Sequence, residues 1–468
     1  MLRHKHHTEP LPRVQPLNHL AADWATLVVP RLPADLAVQA AQLGAFQRAR
    51  AFAQPTDLLR GLLAYGVGLT SFRHLGAWGV LTDLADLSAK GWCTRLRSAS
   101  AWLQWLLKQL LARRVSLRYL TQRVRGRIKL IDATMLARQG GSSAGWRVHV
   151  AYDLLAGQLD QVTVTNHYGA ESLQYYALTP GDLVVADGGY GTRAAVAVAQ
   201  SVRADVVLRI HLNSFPLEQG DGQSFDALGW LQHADGATRS VTVWCSATRT
   251  QAGTTLTSRH QLRLLAWRLP APARRAAERR LQRKASQHGR QVSARGLFLA
   301  GWVLLITTLD PSIWPDAEVW QLYRARWQIE LLFKRFKQLL RVHTLRCRTE
   351  ASATAAIRAL LIVWALVEDA SGSLQQQLQA NARPAPATLP GQAPAQEAVV
   401  SRWQVDVLSV DLVRQAVLGH WTWGRLQACL PQLQRFVVSH PRQREHQATA
   451  VVAWLTGVRR TPARPEYV

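Results

Sequence analysis

The sequence predicts an α/β fold in which a mixed sheet forms the core, a β-rich insertion interrupts it, and helical regions flank it on both sides. Three observations indicate this arrangement. Strand-like and helical segments alternate from residue 121 to 212, less regular sequence follows, and an apolar run then leads into an amphipathic helix at 323–338. Alternation of short strands with helices is typical of α/β proteins.

The 468 residues exceed the size of one ordinary domain, so several regions are expected. Changes in hydrophobic pattern divide the chain into an N-terminal helical region (1–120), a first part of the core (121–212), an insertion (213–295), a second part of the core (296–345) and a C-terminal helical region (346–468). Residues 381–398 are rich in Pro and Ala, which predicts a loop or linker inside the last region.

Charge indicates the class of partner. The chain has 56 Lys and Arg residues against 30 Asp and Glu, a formal net charge of +26, and the excess is spread from end to end. A folded body with this charge is expected to bind a polyanion, most naturally nucleic acid. The same charge disfavours a structural or interaction role without DNA.

Cysteine usage and hydropathy exclude other classes. The four cysteines lie far apart without a CxxC pair, which predicts neither a disulfide framework nor a zinc site: Cys93, Cys245, Cys347 and Cys429. We interpret the His-rich run at 4–7 as a solvated tail. No secretory signal opens the chain, and the longest apolar run, from Gly296, is about 14 residues, too short to span a bilayer. A soluble, cytoplasmic protein without a membrane partner is expected.

Helical periodicity dominates residues 21–118, with a plausible helix start at Pro55 and Thr56. Arginines are interspersed with the short helices, which fits a small helical DNA-binding module and, nearly as well, any helical bundle. The core then begins with a strand at 127–134, a hairpin at 146–165, a strand at 182–187, a helix at 193–202 and a strand at 204–212.

The insertion is predicted to contain strands at 241–247 and 260–269 and a strongly basic helix at 274–284. Residues 296–309 have the pattern of a buried strand. Beyond the amphipathic helix, a second apolar helix is predicted at 353–370.

The helix at 323–338 carries an unusual polar face. At about 100° per residue, one arc of roughly 80° holds Tyr323, Arg326, Glu330, Lys334 and Lys337. Apolar side chains fill the other side, so the helix is expected to pack on a core. One interpretation is a basic amphipathic helix in which Glu330 makes i,i+4 ion pairs. Another is that one carboxylate is presented among groups that bind anions.

Two aspartates stand at the ends of apolar strands, where α/β folds place ligands and chemistry. Asp132 follows one strand, and Asp187 follows another and precedes a glycine-rich turn. Either aspartate alone could be a strand-end hydrogen-bond acceptor, and turn hydrogen bonds explain Asp153, Asp160 and Asp182. With Glu330, however, the two make three carboxylates in an acid-poor chain. Two or three acids are what a pair of Mg²⁺ ions about 3.5–4 Å apart needs in order to clamp a phosphodiester.

The order Asp132, Asp187, Glu330, with Glu330 on a Y-x₂-R-x₃-E-x₆-K helix, resembles the DDE transposases of bacterial insertion sequences, in particular the branch with the Y-R-E-K signature. The signature positions are Tyr323, Arg326, Glu330 and Lys337. The sequences HVAYDLLAG and ADGGYG are also similar to the family's pattern, and the resemblance covers residues 95–370. Many members have Arg after the second Asp, where this chain has Gly188.

The resemblance implies an RNase H-like core in which Asp132, Asp187 and Glu330 are catalytic and bind two Mg²⁺ ions, with Mn²⁺ as a possible substitute. It also implies DNA contacts from Tyr323, Arg326, Lys334, Lys337 and Arg209. Trp302 corresponds to a tryptophan that stacks on a flipped base in members that use a hairpin intermediate; a core aromatic is the alternative.

The predicted function is a DNA transposase that hydrolyses phosphodiesters at insertion-sequence ends and transfers strands into target DNA. Double-stranded DNA, with terminal inverted repeats and target, would be the substrate, and a homodimer would form the synaptic complex in the bacterial cytoplasm, associated with the nucleoid. Two alternatives are an RNase H-like DNA endonuclease without strand transfer and an inactive DNA-binding remnant of a transposase.

Overall fold

The computed structural model describes residues 23–68, 71–112, 125–138, 144–234, 236–251, 254–340, 344–345, 347, 349–380 and 401–419. The predicted linker at 381–398 lies outside the described residues. The division into five regions stays a prediction.

The N-terminal part is helical, as its periodicity predicts. Short helical turns at Trp24–Val28 and Val29–Arg31 precede five α-helices: α1 (Leu36–Gln42), α2 (Pro55–Val67), α3 (Phe72–Leu81), α4 (Ala89–Ser98) and α5 (Ser100–Ala112). Helix α2 begins at the predicted Pro55, because the fixed φ of proline suits the first turn. The Gln54 and Asp57 side chains cap the first turn of α2 reciprocally.

The sheet contains nine strands: β1 (Ile128–Arg138), β2 (Ala144–Asp153), β3 (Gln158–Asn166), β4 (Leu183–Ala186), β5 (Asp205–Arg209), β6 (Thr238–Gln251), β7 (Thr254–Arg268), β8 (Trp302–Thr307) and β9 (Thr344–Leu345). Eight of them lie in the order β3-β2-β1-β4-β5-β8-β7-β6, and β9 pairs with the outer part of β1. The mixed α/β core predicted from the sequence is therefore confirmed.

Strand direction defines one functional edge of this sheet. Strands β1, β4 and β5 are mutually parallel, while β8 runs antiparallel to β5 and β7 antiparallel to β8. The carboxyl ends of β4 and β5 and the middle of β1, at Asp132, therefore meet the start of β8 at the same edge. We call this the catalytic edge, and its residues are described below.

The predicted β-rich insertion contains the long hairpin β6–β7, whose register is continuous from Thr238–Trp267 to Gln251–Thr254. The hairpin extends the central sheet, because β7 pairs with β8 along six residues. A helix, α7 (Ala227–Gln232), precedes it, and two helices follow it: α8 (Ala271–Gln287) and α9 (Ala294–Ala300).

Two expectations about the second part of the core need correction. Residues 294–300 are helical (α9), so the strand begins only at Trp302; Ser293 caps α9 and favours the helix. The helix expected at 323–338 is divided into α10 (Asp316–Ala325) and α11 (Trp327–Leu339). The division lies at Arg326, whose N–H bonds to Tyr323 and whose carbonyl accepts from Ile329, so the chain tightens by one residue there.

The C-terminal helices are α12 (Glu350–Ala380) and α13 (Arg402–Leu418). By length and composition alone, the segment Glu350–Gln377 is apolar enough to cross a membrane, although Arg358 and Glu368 interrupt its apolar run. However, 78% of its most apolar window is buried inside the protein, against α2, α5, α13 and β3. Such burial marks α12 as the central helix of the core.

Two apolar cores cover the two faces of the sheet. One contains Leu130 and Val185 and continues into the N-terminal helices, α11 and α12. The other contains Ile131 and Val184 and continues into α6 (Arg193–Ser201) and the hairpin β6–β7. Successive residues of β1 and β4 enter opposite cores because strand side chains alternate between faces. The strands that lead to the catalytic edge are thus held from both sides.

Candidate active site

Asp132 and Asp187 are adjacent because β1 and β4 are paired in register. The last residue pair of this parallel ladder is Ile131 with Ala186, and an aspartate follows each of them. Asp187 comes directly after β4, as expected, whereas Asp132 does not end its strand, because β1 continues to Arg138. The structure therefore brings together the two acids that the sequence places after separate strands.

Asp132 is held in a poorly hydrated position. Its Oδ1 accepts the Ala133 N–H at 2.7 Å, and its side chain is only 16% exposed. Burial is the main reason that the pKa of Asp132 is raised to about 7; the negative charges of Asp187 and Glu171 also raise it, and the Ala133 hydrogen bond and Arg326 lower it. The carboxyl group therefore changes its protonation state near neutral pH.

Asp187 opens a glycine-rich turn against which two side chains pack closely. The Gly189 N–H donates to Asp187 Oδ1 at 2.9 Å. A Cβ on Gly189 would lie 1.6 Å from Glu171 Oε2, and a Cβ on Gly188 would lie 2.7 Å from His211 Nε2. The His211 imidazole thus occupies the space beside Gly188, the position at which many family members have Arg.

Glu171 is a fourth carboxylate that the sequence analysis missed. It lies against Gly189, close to Asp187, and forms an ion pair with Arg147 on β2 at 3.7 Å. Burial and the charge of Asp187 raise the pKa of Glu171. Glu171 belongs to no recognised motif. The one sequence feature that could have indicated it is an acid a few residues after a strand, in a chain with few acids.

Glu330 reaches the pair of aspartates through Arg326. The guanidinium donates to Glu330 Oε1 and lies 3.6 Å from Asp132 Oδ2. The i,i+4 ion pair expected between Arg326 and Glu330 is therefore present, but it also includes the first aspartate. Glu330 is the more accessible partner, with 56% of its side chain exposed.

Tyr323 and Arg209 complete the same neighbourhood. Burial raises the pKa of the Tyr323 hydroxyl, whereas the charges of Arg326 and Arg209 lower it and that of Asp187 raises it. The Arg326 guanidinium also lies 5.9 Å from the centre of the Tyr323 ring. Charges that affect one hydroxyl in this way belong to a single cluster.

Lys334 and Lys337 continue the polar face of α11 beyond Glu330. Lys334 is exposed, while Lys337 is half-buried, and burial lowers its pKa. No contact joins either lysine to the three acids within the described residues.

Trp302 lies at the catalytic edge but inside the protein. Its ring is 5% exposed and packs against Phe298 of α9, with the Arg268 guanidinium 5.9 Å from the ring centre. The structure therefore matches the core-aromatic alternative in the DNA-free protein, and it does not bring Trp302 into contact with the acids.

Two buried tyrosines hold the backbone of Asp132 and Asp187 from the core side of the sheet. Tyr176 Oη donates to the Asp132 carbonyl at 3.3 Å and lies 2.8 Å from Tyr190 Oη. The Tyr190 N–H donates to the Asp187 carbonyl at 3.2 Å. Tyr190 is 1% exposed, so this link fixes the spacing of the two aspartates from the core side.

The other acids considered earlier have structural partners. Asp153 accepts the N–H groups of Leu155 and Ala156, and Asp182 accepts from Thr179. Lys129 Nζ, which is almost fully buried, lies 3.2 Å from both Asp160 and Asp182. These acids therefore stabilise the opposite edge of the sheet.

The donor set at the catalytic edge suits a hard divalent cation. Carboxylate oxygens are the preferred ligands of Mg²⁺, which retains several waters and needs few protein ligands. Within the described residues, no three acidic, His or Cys side chains already enclose a metal position. The adjacent pair Asp132 and Asp187 fits an open site, and Glu330 can join it once its carboxylate leaves Arg326.

A mixed sheet that brings Asp132 of β1 beside Asp187, directly after β4, is consistent with the RNase H-like class of enzymes. The family model described as the transposase DDE domain matches residues 125–366, a segment that contains all three acids. The chain belongs to this family of bacterial insertion-sequence transposases.

Curated relatives of the chain are also named as insertion-sequence transposases. The chain is 34% identical over 357 residues to the InsL transposase for insertion sequence element IS186A of Escherichia coli K12, covering 75% of this chain and 95% of the relative. It is 34% identical over 358 residues to the transposase for element IS421 of Escherichia coli, with the same coverage. The transposase for element IS231F of Bacillus thuringiensis subsp. israelensis is 26% identical over 250 residues, covering 48% of this chain and 51% of that protein. The predicted family and enzyme class are therefore confirmed.

Proposed function

We propose that this transposase cuts insertion-sequence ends and joins them to target DNA with Asp132, Asp187 and Glu330 as its catalytic, metal-binding acids, and that it belongs to the Y-R-E-K branch. The observation that carries the proposal is the in-register pairing of Ile131 with Ala186, together with the Arg326 bridge from Asp132 to Glu330. Three acids separated by up to 198 residues of sequence thereby converge on one edge of the sheet.

Two divalent ions, Mg²⁺ or Mn²⁺ in its place, would activate the attacking oxygen and neutralise the charge on the leaving oxygen when bound at these acids. The cations around them would then orient the substrate. Arg326 lies beside Asp132 and Glu330, and the charge of Arg209 acts on Tyr323 nearby; both guanidinium groups can hold phosphate oxygens with forked hydrogen bonds. Tyr323, Lys334 and Lys337 extend the same contact along the DNA strand.

Trp302 is proposed to stack on a flipped base if cleavage passes through a hairpin intermediate. Base stacking on an aromatic contributes about 1–3 kcal/mol per base, which offsets the cost of unstacking. The ring is covered by Phe298 and Arg268, so stacking requires those side chains to move.

The substrates proposed are duplex DNA ends with terminal inverted repeats and a duplex target, processed in the bacterial cytoplasm on nucleoid DNA. The helices before Ala112 would recognise the repeats. A homodimer would pair two ends in the synaptic complex. The net charge of +26 supports the DNA substrate.

The test is cleavage of a labelled duplex that carries the DNA flanking the gene, with Mg²⁺, for the wild type and Asp187→Ala. We expect cutting at one defined position in the wild type, joining to added target DNA, and loss of both in the variant. Cutting of branched DNA without joining would favour the endonuclease alternative, and binding without cutting would favour the inactive remnant.

A further inference from the structure

Helix α8 stands at the catalytic edge. It belongs to the connection between β7, which ends at Arg268, and β8, which begins at Trp302, and these two residues are paired. Strand β8 starts at the same edge at which β4 and β5 end. Consistently, the charge of Lys284 near the end of α8 lowers the pKa of His211, whose ring lies beside Gly188.

One side of α8 packs weakly on its neighbours. The partly shielded residues recur at the spacing of one helical face: Arg274, Ala277, Glu278, Leu281 and Ala285. Leu281 lies near Gly296 of α9, and Arg274 lies over Gly301. No residue of α8 is buried, so the protein core does not explain the composition of the rest of the helix.

The opposite side of α8 consists mainly of positive charge. Its exposed cations, which we call the α8 cationic face, are Arg275, Arg279, Arg280, Arg283 and Lys284. The helix has one acid, Glu278, on the shielded side, where it pairs with Arg274 at 3.6 Å. Within the described residues, none of the five exposed cations forms an ion pair.

This arrangement is unfavourable for an isolated solvated helix. Like charges four residues apart repel, and the face contains three such pairs: 275 with 279, 279 with 283, and 280 with 284. Each pair destabilises a helix by about 0.2–0.5 kcal/mol. A solvated face often alternates the signs of charge, and an anionic partner would offset the repulsion on this one.

We propose that the α8 cationic face binds the phosphate backbone of the duplex that continues from the cleavage site, holding that duplex against the catalytic edge. This inference rests on the proposed function, because it assumes that DNA lies at the acids. From Arg275 to Lys284 the face extends about 14 Å at 1.5 Å per residue. Duplex DNA carries one charge per about 1.7 Å of axis, so several phosphates lie within reach.

The test compares two double variants that each remove two exposed cations. Arg279→Gln with Arg283→Gln changes the α8 cationic face; Arg125→Gln with Arg203→Gln, at the opposite edge of the sheet, is the matched control. Binding to a labelled end duplex is measured without a divalent metal over a range of salt concentrations. Unchanged thermal unfolding verifies that each variant is folded.

We expect the α8 variant to bind severalfold more weakly and the slope of log K against log salt to fall by about 1.8, since each lost phosphate contact contributes about 0.9. The control should retain the wild-type slope. Duplexes shortened on the element side or on the flanking side should identify which arm α8 holds, because the difference between variant and wild type disappears when that arm is missing.

Equal affinity and slope for the α8 variant and the wild type on every duplex would overturn the inference. An equal loss in the control would also overturn it, because the effect would then belong to overall charge. A wrong assignment of the active site would give a different result. In that case Asp187→Ala would still cleave DNA, whether or not the α8 variant binds the duplex with normal affinity.

Discussion

The Arg326 guanidinium lies 3.6 Å from Asp132 Oδ2 and also donates to Glu330. A single cation is therefore shared by the first and third acids of the proposed metal site in the DNA-free protein. Its own side chain is only 17% exposed, which keeps the bridge partly shielded from solvent. Any divalent ion that binds these carboxylates has to replace this internal cation.

Replacing Glu330 should separate catalysis from binding. We expect Glu330→Ala to abolish strand cleavage while leaving affinity for the element's end within about twofold, because the half-exposed carboxylate faces the site and not the core. A gel assay for cleavage and an anisotropy assay for binding measure the two effects. Lost binding in a variant that folds normally would contradict this role.

Metal affinity should depend on pH through Asp132. Burial places its pKa at about 7, and the metal needs the carboxylate form. Mn²⁺ affinity of the DNA-free protein should rise up to about tenfold per pH unit below 7 and level off above it. Calorimetric titrations from pH 5.5 to 8.5 would show this.

A control for that experiment is Glu171→Gln. The charge of Glu171 raises the pKa of Asp132, so its removal should move the rising limb of the curve to lower pH. A curve that rises at the same pH in both proteins, or no dependence on pH in the wild type, would argue against Asp132 as the titrating ligand.

Asp406 should be important for stability. Its fully buried carboxylate pairs with Arg335 of α11 and Arg402 of α13, each at 2.9 Å. Asp406→Ala leaves Arg335 without its partner, so we expect the free energy of unfolding to fall by about 3–5 kcal/mol. Urea denaturation measures the change.

The matched control on the same helix is Asp411→Ala. Asp411 is 58% exposed and lies 3.7 Å from Arg414, so its removal should alter stability by less than about 1 kcal/mol. Similar losses of stability in both variants would mean that burial of the Asp406 ion pairs does not determine the change in the free energy of unfolding.

Gly191 should tolerate no side chain. A Cβ there would lie 2.0 Å from the Arg209 carbonyl oxygen, a backbone atom that cannot turn away. We expect Gly191→Ala to displace the Asp187 turn, to reduce the cleavage rate and to lower the melting temperature. Gly372→Ala in α12, where nothing lies within 4 Å of the added Cβ, should be neutral or stabilise by about 0.5–1 kcal/mol.

Asp132 and Asp187 could be found from the sequence because each follows a short apolar run that local pattern identifies as a strand. The pattern is correct for Asp187, which follows β4, but it places the end of β1 too early, since β1 continues from Asp132 to Arg138. Their adjacency was not contained in that pattern: it depends on the register of β1 with β4. Glu330 could be found from the spacing of its helix. The division of that helix at Arg326 could not, since it depends on the local backbone hydrogen bonds.

Glu171 was missed because its place beside Gly189 is created by the turn after β4, more than ten residues away in the chain. The strand expected before Trp302 became partly helical because an apolar run of that length fits either structure.

Strand β9 has a further implication for how sequences of this kind can change in length. Thr344 and Leu345 pair with Ala137 and Arg138, so the chain leaving α11 returns to the strand that carries Asp132. The interval from Glu330 to Thr344 therefore joins the helix of the third acid to the strand of the first. The hairpin β6–β7 joins the sheet through β8 and carries none of the three acids. Natural variants should therefore differ in length at the hairpin and keep the interval from Glu330 to Thr344 constant.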